Sequence, residues 1–133
     1  MPGASFLDTN VLVYFAIQGS PRSHRAAELV ETGGTINVQV LNEFTNVARG
    51  KMRMTWEETI ETLQFLRELL EVEPLTVEVH ERALMLAERH NFQIYDAMIV
   101  AAAIEAGCST LYSEDMHHGL LLEGRLRIVN PFT

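Results

Sequence analysis

Four acidic residues, Asp8, Glu43, Asp96 and Asp115, stand where a carboxylate is hardest to account for as part of a wet surface. Asp8 ends the short apolar run from Ser5 to Leu7, and Asp96 lies at the start of a segment, Tyr95 to Ala106, that is apolar on nearly every side. Glu43 falls early in a stretch where Val40, Phe44 and Val47 share one helical face, and Asp115 follows the strand-like run Ser109 to Tyr112. Two carboxylates about 4 Å apart repel by roughly 4 kcal/mol at an effective dielectric near 20, so a cluster of them either binds cations or takes up protons. Magnesium or manganese is the natural occupant, because both prefer oxygen ligands and no histidine or cysteine spacing here suggests zinc. Two such ions about 3.5–4 Å apart can activate a water, neutralise a phosphodiester and stabilise the departing oxygen without a protein nucleophile, which is nuclease chemistry. Whether one ion or two would bind is not encoded in the spacing.

The acids can act together only if the chain folds to bring them together. After the strand that Asp8 ends, a helical segment follows, and Ser20-Pro21 has the hydroxyl cap and first-turn proline of a second helix start. That helix carries the pattern His24 to Val30 and stops at Gly33-Gly34. Thr35 to Val38 reads as a strand, and either Asn37 or Gln39 could cap the helix that carries Glu43. Thr55-Trp56-Glu57-Glu58 is a capping box ahead of Ile60, Leu63, Leu66 and Leu70. Glu71 to Leu75 is a strand or extended link, and Thr76 caps a helix with Val77, His80, Leu84 and Ala87 on its buried stripe, ending near Asn91. The apolar Tyr95 to Ala106 helix is stopped by Gly107, Ser113 to Gly124 reads as a surface loop, and Leu126 to Val129 is a closing strand. Strands alternating with helices imply a parallel α/β sheet, whose ligands bind outside the carboxyl ends of the strands. Asp8 and Asp115 fall at such ends, and Glu43 and Asp96 could reach the same crevice.

At 133 residues, with 47% hydrophobic and 21% charged, the chain is expected to form one ordered domain over residues 1–133. The longest apolar run, Ile94 to Ile104, is broken by Asp96 and is too short to cross a bilayer. The first residues lack the basic and apolar segments of a secretory signal, so a cytoplasmic location is expected. The single cysteine, Cys108, excludes an intramolecular disulfide and a thiolate metal site. Ten basic against 18 acidic residues give a net charge of -8, which argues against a nucleic-acid binder held by a basic surface, unless carboxylates gathered at one site bind cations and reverse the local field. Arg49, Lys51 and Arg53 could contact RNA phosphates beside such a site, although a solvated helix end accounts for them equally well. The pair His117-His118 in a polar loop reads as water-facing.

The segments FLDTNVLVY, QVLNEFTNV, YDAMIVAAAIEAGCSTLYSEDM and RIVNPF together resemble PIN-domain proteins, in particular the VapC-type toxins of bacterial toxin–antitoxin pairs. The resemblance covers nearly the whole chain. It implies a Rossmann-like three-layer α/β/α sandwich with a mainly parallel central sheet, a magnesium- or manganese-dependent endoribonuclease activity, commonly a homodimer, and an antitoxin protein that holds the enzyme inactive. It makes Asp8, Glu43, Asp96 and Asp115 the metal ligands and catalytic acids, with Thr9, Asn10 and Ser113 supporting them. Two departures stand out. Glu114 beside Asp115 leaves open which acid faces the metal, and Asn37 takes a place where the family often has serine or threonine. A phosphotransferase with a nucleophilic aspartate disagrees with the sequence, because it wants a second aspartate where Asn10 stands. The alternative within the family is a PIN-fold metal- and protein-binding module that no longer cuts RNA, and retention of all four acids counts against it.

Overall fold

A computed structural model describes residues 4–17 and 19–133. Strand β1 (Ser5–Leu7) has Phe6 and Leu7 fully buried because it lies inside the sheet, paired in parallel with β2 (Thr35–Asn37) on one side and β4 (Thr110–Tyr112) on the other. Beyond β2 lies β3 (Glu71–Glu73), and beyond β4 lies β6 (Leu126–Val129), so the order is β3-β2-β1-β4-β6-β5. Only β5 (Leu121–Leu122) runs antiparallel, against β6. The chain steps outward from β1 through β2 to β3 and then crosses back to β4 on the other side of β1, and the crevice outside the strands' carboxyl ends at that reversal is where a ligand site is expected. The sheet is flanked by helices in the manner of a three-layer α/β/α sandwich.

Helix α1 (Thr9–Ala16) starts at once after β1, with Asp8 as its cap, and α2 (Ser23–Thr32) follows a turn. That turn corrects the expected start: Ser20 and Pro21 form it, with the Ser23 amide bonding the Ser20 carbonyl, and the helix begins later than the proline signal suggests. Asn37, rather than Gln39, caps α3 (Val38–Arg49) by accepting the Val40 amide at 3.0 Å. The capping box of α4 (Trp56–Leu69) forms in full, Thr55 and Glu58 exchanging hydrogen bonds. Its buried side is Thr59, Leu66 and Leu70, while Ile60 is half exposed. Helix α5 (Val77–His90) is turned away from expectation: Val79, Ala83 and Leu86 are buried, whereas Val77, His80 and Leu84 face outward. The reason is its neighbour. Helix α6 (Ile94–Glu105), which begins one residue earlier than expected, presents an alanine-rich surface buried from Ala97 to Ile104, and the small Ala83 lets α5 approach it closely. The expected Ser113 to Gly124 loop also contains β5, whose Leu122 is buried and whose turn sets Glu123 and Gly124 at φ 52° and 69°.

Asn37 carries a cost that bears on its unusual presence at this position. It has no exposed surface, and among the described residues its Nδ2 has no hydrogen-bond partner. A buried orphan donor costs about 1–3 kcal/mol, and threonine can cap the same helix through its hydroxyl with one rotatable donor in place of the amide's two. Asn37→Thr is therefore expected to raise stability by about 1 kcal/mol in urea unfolding. A loss of stability would show that the amide is satisfied in solution.

Candidate active site

The carboxyl ends of β1 and β4 and the helices α3 and α6 border one cleft of about 350 Å³. Asp8, Glu43, Asp96 and Asp115 all line it, together with neutral polar residues such as Asn46 and Gln93, and no lysine or arginine does. The four acids singled out in the sequence therefore face one space from four different parts of the chain. Arg49, Lys51 and Arg53 do not line it. Arg49 donates to the Met54 carbonyl at 2.7 Å and stacks over the Trp56 ring, which closes the connection between α3 and α4, while Lys51 and Arg53 are exposed in that connection.

Each acid is held in a different way. Asp8 is 7% exposed; one oxygen accepts the Thr9 amide at 2.7 Å and the other accepts the Ser113 hydroxyl at 2.7 Å. The Thr9 hydroxyl donates to Glu43 at 2.6 Å, so the residue after Asp8 fixes the next acid of the site. Asn10 donates from Nδ2 to Asp115 at 2.7 Å, and the Asp115 amide in turn rests on the Ser113 hydroxyl at 3.3 Å. Thus the side chains of Thr9, Asn10 and Ser113 each donate to a different acid. Asp96 sits in the first turn of α6, where the helix dipole favours a negative charge.

The electrostatics record burial first and like charge second. Burial pushes the Asp8 carboxyl up to about 6, against the hydrogen bonds from Ser113 and Thr9, and the charges of Asp115 and Glu43 add to the rise. Asp96 is raised by its own burial and by Asp115 and Glu43, and Asp115 is raised by burial and by Glu114 despite the Asn10 hydrogen bond. An oxygen-only donor set, lined by no basic residue and forced toward protonation, fits a divalent cation better than it fits an empty state. Among the described residues no group of three or more histidine, cysteine, aspartate or glutamate side chains stands close enough together to hold a metal ion as placed. Magnesium keeps several waters and is commonly bound through only one or two protein carboxylates, so it does not need three acids on one ion.

Two features of the site escape a reading of the sequence. Gln39 is 7% exposed and donates to Glu43 at 3.4 Å and to the Tyr95 carbonyl at 3.1 Å, linking α3 to the start of α6. The one signal that could have found it is its position a helical turn before Glu43, on a helix whose cap could have been either Asn37 or Gln39 itself. The second concerns Glu114, which turns away from the cleft and accepts the Tyr14 hydroxyl at 2.7 Å, so Asp115 is the acid that faces inward. Among the described residues, no helix is long and apolar enough to cross a membrane.

Comparison with known proteins agrees with this fold. A family model for the PIN domain matches residues 5–118. A toxin–antitoxin complex from Klebsiella pneumoniae is similar at a TM-score of 0.73 and 18% identity, over 96% of this chain and 98% of that one. VapC20 of Mycobacterium tuberculosis, described as a sarcin-ricin loop cleaving toxin, gives 0.68 and 20% over 83% and 88%. VapBC2 from Rickettsia felis, bound to a DNA fragment from its promoter, gives 0.67 and 20% over 94% and 98%. No curated protein sequence matches the chain.

Proposed function

This chain belongs to the PIN-domain family, and on that premise we propose that it is a magnesium- or manganese-dependent endoribonuclease, the toxin of a toxin–antitoxin pair. The observation that carries the reading is the cleft itself: four carboxylates from four parts of the chain, no lysine or arginine among its lining residues, and neutral donors spent on holding the acids in place. RNA as substrate and an antitoxin as partner rest on the fold relatives, one described as cleaving the sarcin-ricin loop and others as toxin–antitoxin complexes. The net charge of -8 suits a partner that brings basic side chains to the acidic cleft. A homodimer is proposed on the family resemblance alone.

Asp8, Glu43, Asp96 and Asp115 would hold the metal. Bound there, the ion would supply positive charge against the phosphodiester and make a water easier to deprotonate. The chain's own residues do the rest. Ser113 and the Thr9 amide keep both Asp8 oxygens oriented, Thr9 and Gln39 hold Glu43 from two sides, and Asn10 holds the exposed Asp115. With these donors committed, Asp8, Glu43 and Asp115 are oriented before a cation arrives, and binding would draw the acids closer around it.

Removal and return of metal tests the function. Protein stripped with a chelator is expected to leave a mixed small-RNA pool intact, and added magnesium or manganese is expected to restore discrete fragments. Cutting that persists in chelator would sink the reading. Gln39→Met keeps a buried, unbranched side chain but withdraws the donor from Glu43, and outer-shell losses of this kind cost about 10–100-fold in activity. Cleavage about ten-fold slower, with no drop in melting temperature, is expected. An unchanged rate would remove Gln39 from the site.

A further inference from the structure

Glu114 sits between Ser113, which holds Asp8, and Asp115, which lines the cleft, yet its carboxylate is engaged elsewhere. One oxygen accepts the Tyr14 hydroxyl at 2.7 Å, and the other lies 3.5 Å from Nη1 of Arg22, which also donates to the Tyr14 oxygen at 3.0 Å. The Glu114 side chain is 15% exposed and the Arg22 side chain 50%, so the Tyr14–Glu114 hydrogen bond is the better shielded of these contacts. Tyr14 is itself braced: its ring meets Phe132 edge to face at 5.0 Å, and the Arg22 guanidinium lies 5.4 Å from its centroid.

The register along α1 gives this cluster its meaning. Tyr14 lies four residues after Asn10, one helical turn further on the same face. Asn10 holds Asp115 and Tyr14 holds Glu114, so two consecutive acids of an irregular loop are pinned to two consecutive turns of one helix. Asp115 is exposed, and Asn10 provides the direct side-chain hydrogen bond to its carboxylate, so its aim depends on how firmly the loop backbone is fixed. From this we infer that Glu114 and Tyr14 are positioning residues that clamp the loop and thereby hold Asp115 in place for the cation. The inference rests on the metal-dependent reading of the cleft. It assigns Glu114 a function outside the ligand set, through its hydrogen bond and not through its charge.

Manganese binding followed by the loss of its free-ion paramagnetic resonance signal separates these possibilities without requiring cleavage. Tyr14→Phe keeps every charge and the ring but removes the hydroxyl. Glu114→Ala removes both charge and acceptor, whereas Glu114→Gln removes the charge and keeps an acceptor for Tyr14. The clamp predicts that Tyr14→Phe and Glu114→Ala weaken manganese binding about 5–10-fold, at the lower end of outer-shell effects. It also predicts that Glu114→Gln binds within about two-fold of wild type, well below an outer-shell loss, and that melting temperatures of the metal-free proteins stay close together. If Tyr14→Phe binds like wild type while Glu114→Gln matches Glu114→Ala, Glu114 acts through its field and the clamp is overturned. Equal binding by all variants overturns it too, while leaving the metal site intact. Wild-type protein that takes up no manganese overturns the reading of the cleft and the clamp with it.

Discussion

Asp8→Asn is expected to make the metal-free protein more stable at pH 7 while abolishing its response to magnesium. Burial lifts the Asp8 carboxyl from the ordinary 3.8 to about 6, so the folded state holds its proton more tightly than the unfolded state does. Below about pH 4 both states are protonated and Asp8 costs nothing. As pH rises toward 6 the unfolded chain releases the proton first, and above that value the folded protein carries the full cost of a buried charge. A shift of this size corresponds to about 2–3 kcal/mol, and Asp96 and Asp115, both raised, act with the same sign. Asparagine keeps the shape without a charge: its Oδ1 can still accept the Thr9 amide, and its Nδ2 can donate to the Ser113 oxygen in place of accepting from the Ser113 hydroxyl. In chelator at about pH 7 the variant is expected to melt roughly 5–10 °C above wild type and to lose Asp8's share of the wild-type decline in stability between about pH 4 and 6. Magnesium should then raise the melting temperature of wild type and leave the variant unmoved. A variant that melts below wild type in chelator would show that Asp8 is there for structure.

The second large effect is on rate. Asp96→Asn removes a carboxylate that stands in the first turn of α6, faces the cleft, and is crowded by Asp115 and Glu43. The side chain is only partly buried, and asparagine is nearly isosteric, so the helix should be retained and repulsion within the site relieved. A direct ligand should matter more than the supporting residues around it, whose loss costs about 10–100-fold, so RNA cleavage is expected to fall by more than about 100-fold. Single-turnover cleavage with the melting temperature of the same sample checks this. A large rate loss without a stability loss assigns Asp96 to the chemistry, whereas parallel losses assign it to the fold.

Much of this site is legible in the sequence, because an acid at the edge of an apolar run is costly to keep unless it has work to do. Asp8 after Phe6-Leu7 and Asp96 before Ala97-Met98 are of that kind, and both come to the cleft. The strand and helix order is legible for a related reason: Thr55-Glu58, Thr76 and Gly107 punctuate the chain where local chemistry alone sets the backbone. What escapes depends on partners distant in sequence. Helix α5 has two apolar sets at helical spacing, Val77 with Leu84 and Val79 with Ala83 and Leu86, and only the alanine surface of α6 decides between them. The β5–β6 hairpin lacks the usual Asn-Gly or Asp-Gly signal, since Glu123 takes the left-handed conformation there, held by Arg89 and His90 from the end of α5. The roles of Gln39 and Glu114 are likewise tertiary: one reaches Tyr95 on another helix, and the other finds Tyr14, 100 residues away in sequence.

The most direct test of the central claim is cleavage of one mixed small-RNA pool, in magnesium, by wild type beside four isosteric amide variants, Asp8→Asn, Glu43→Gln, Asp96→Asn and Asp115→Asn. If the four carboxylates form one metal-binding site, wild type releases discrete fragments and each variant loses them while remaining folded. Fragments of equal intensity from wild type and all four variants would place the cutting elsewhere, in another part of the protein or in a contaminant, and would contradict the four-acid site.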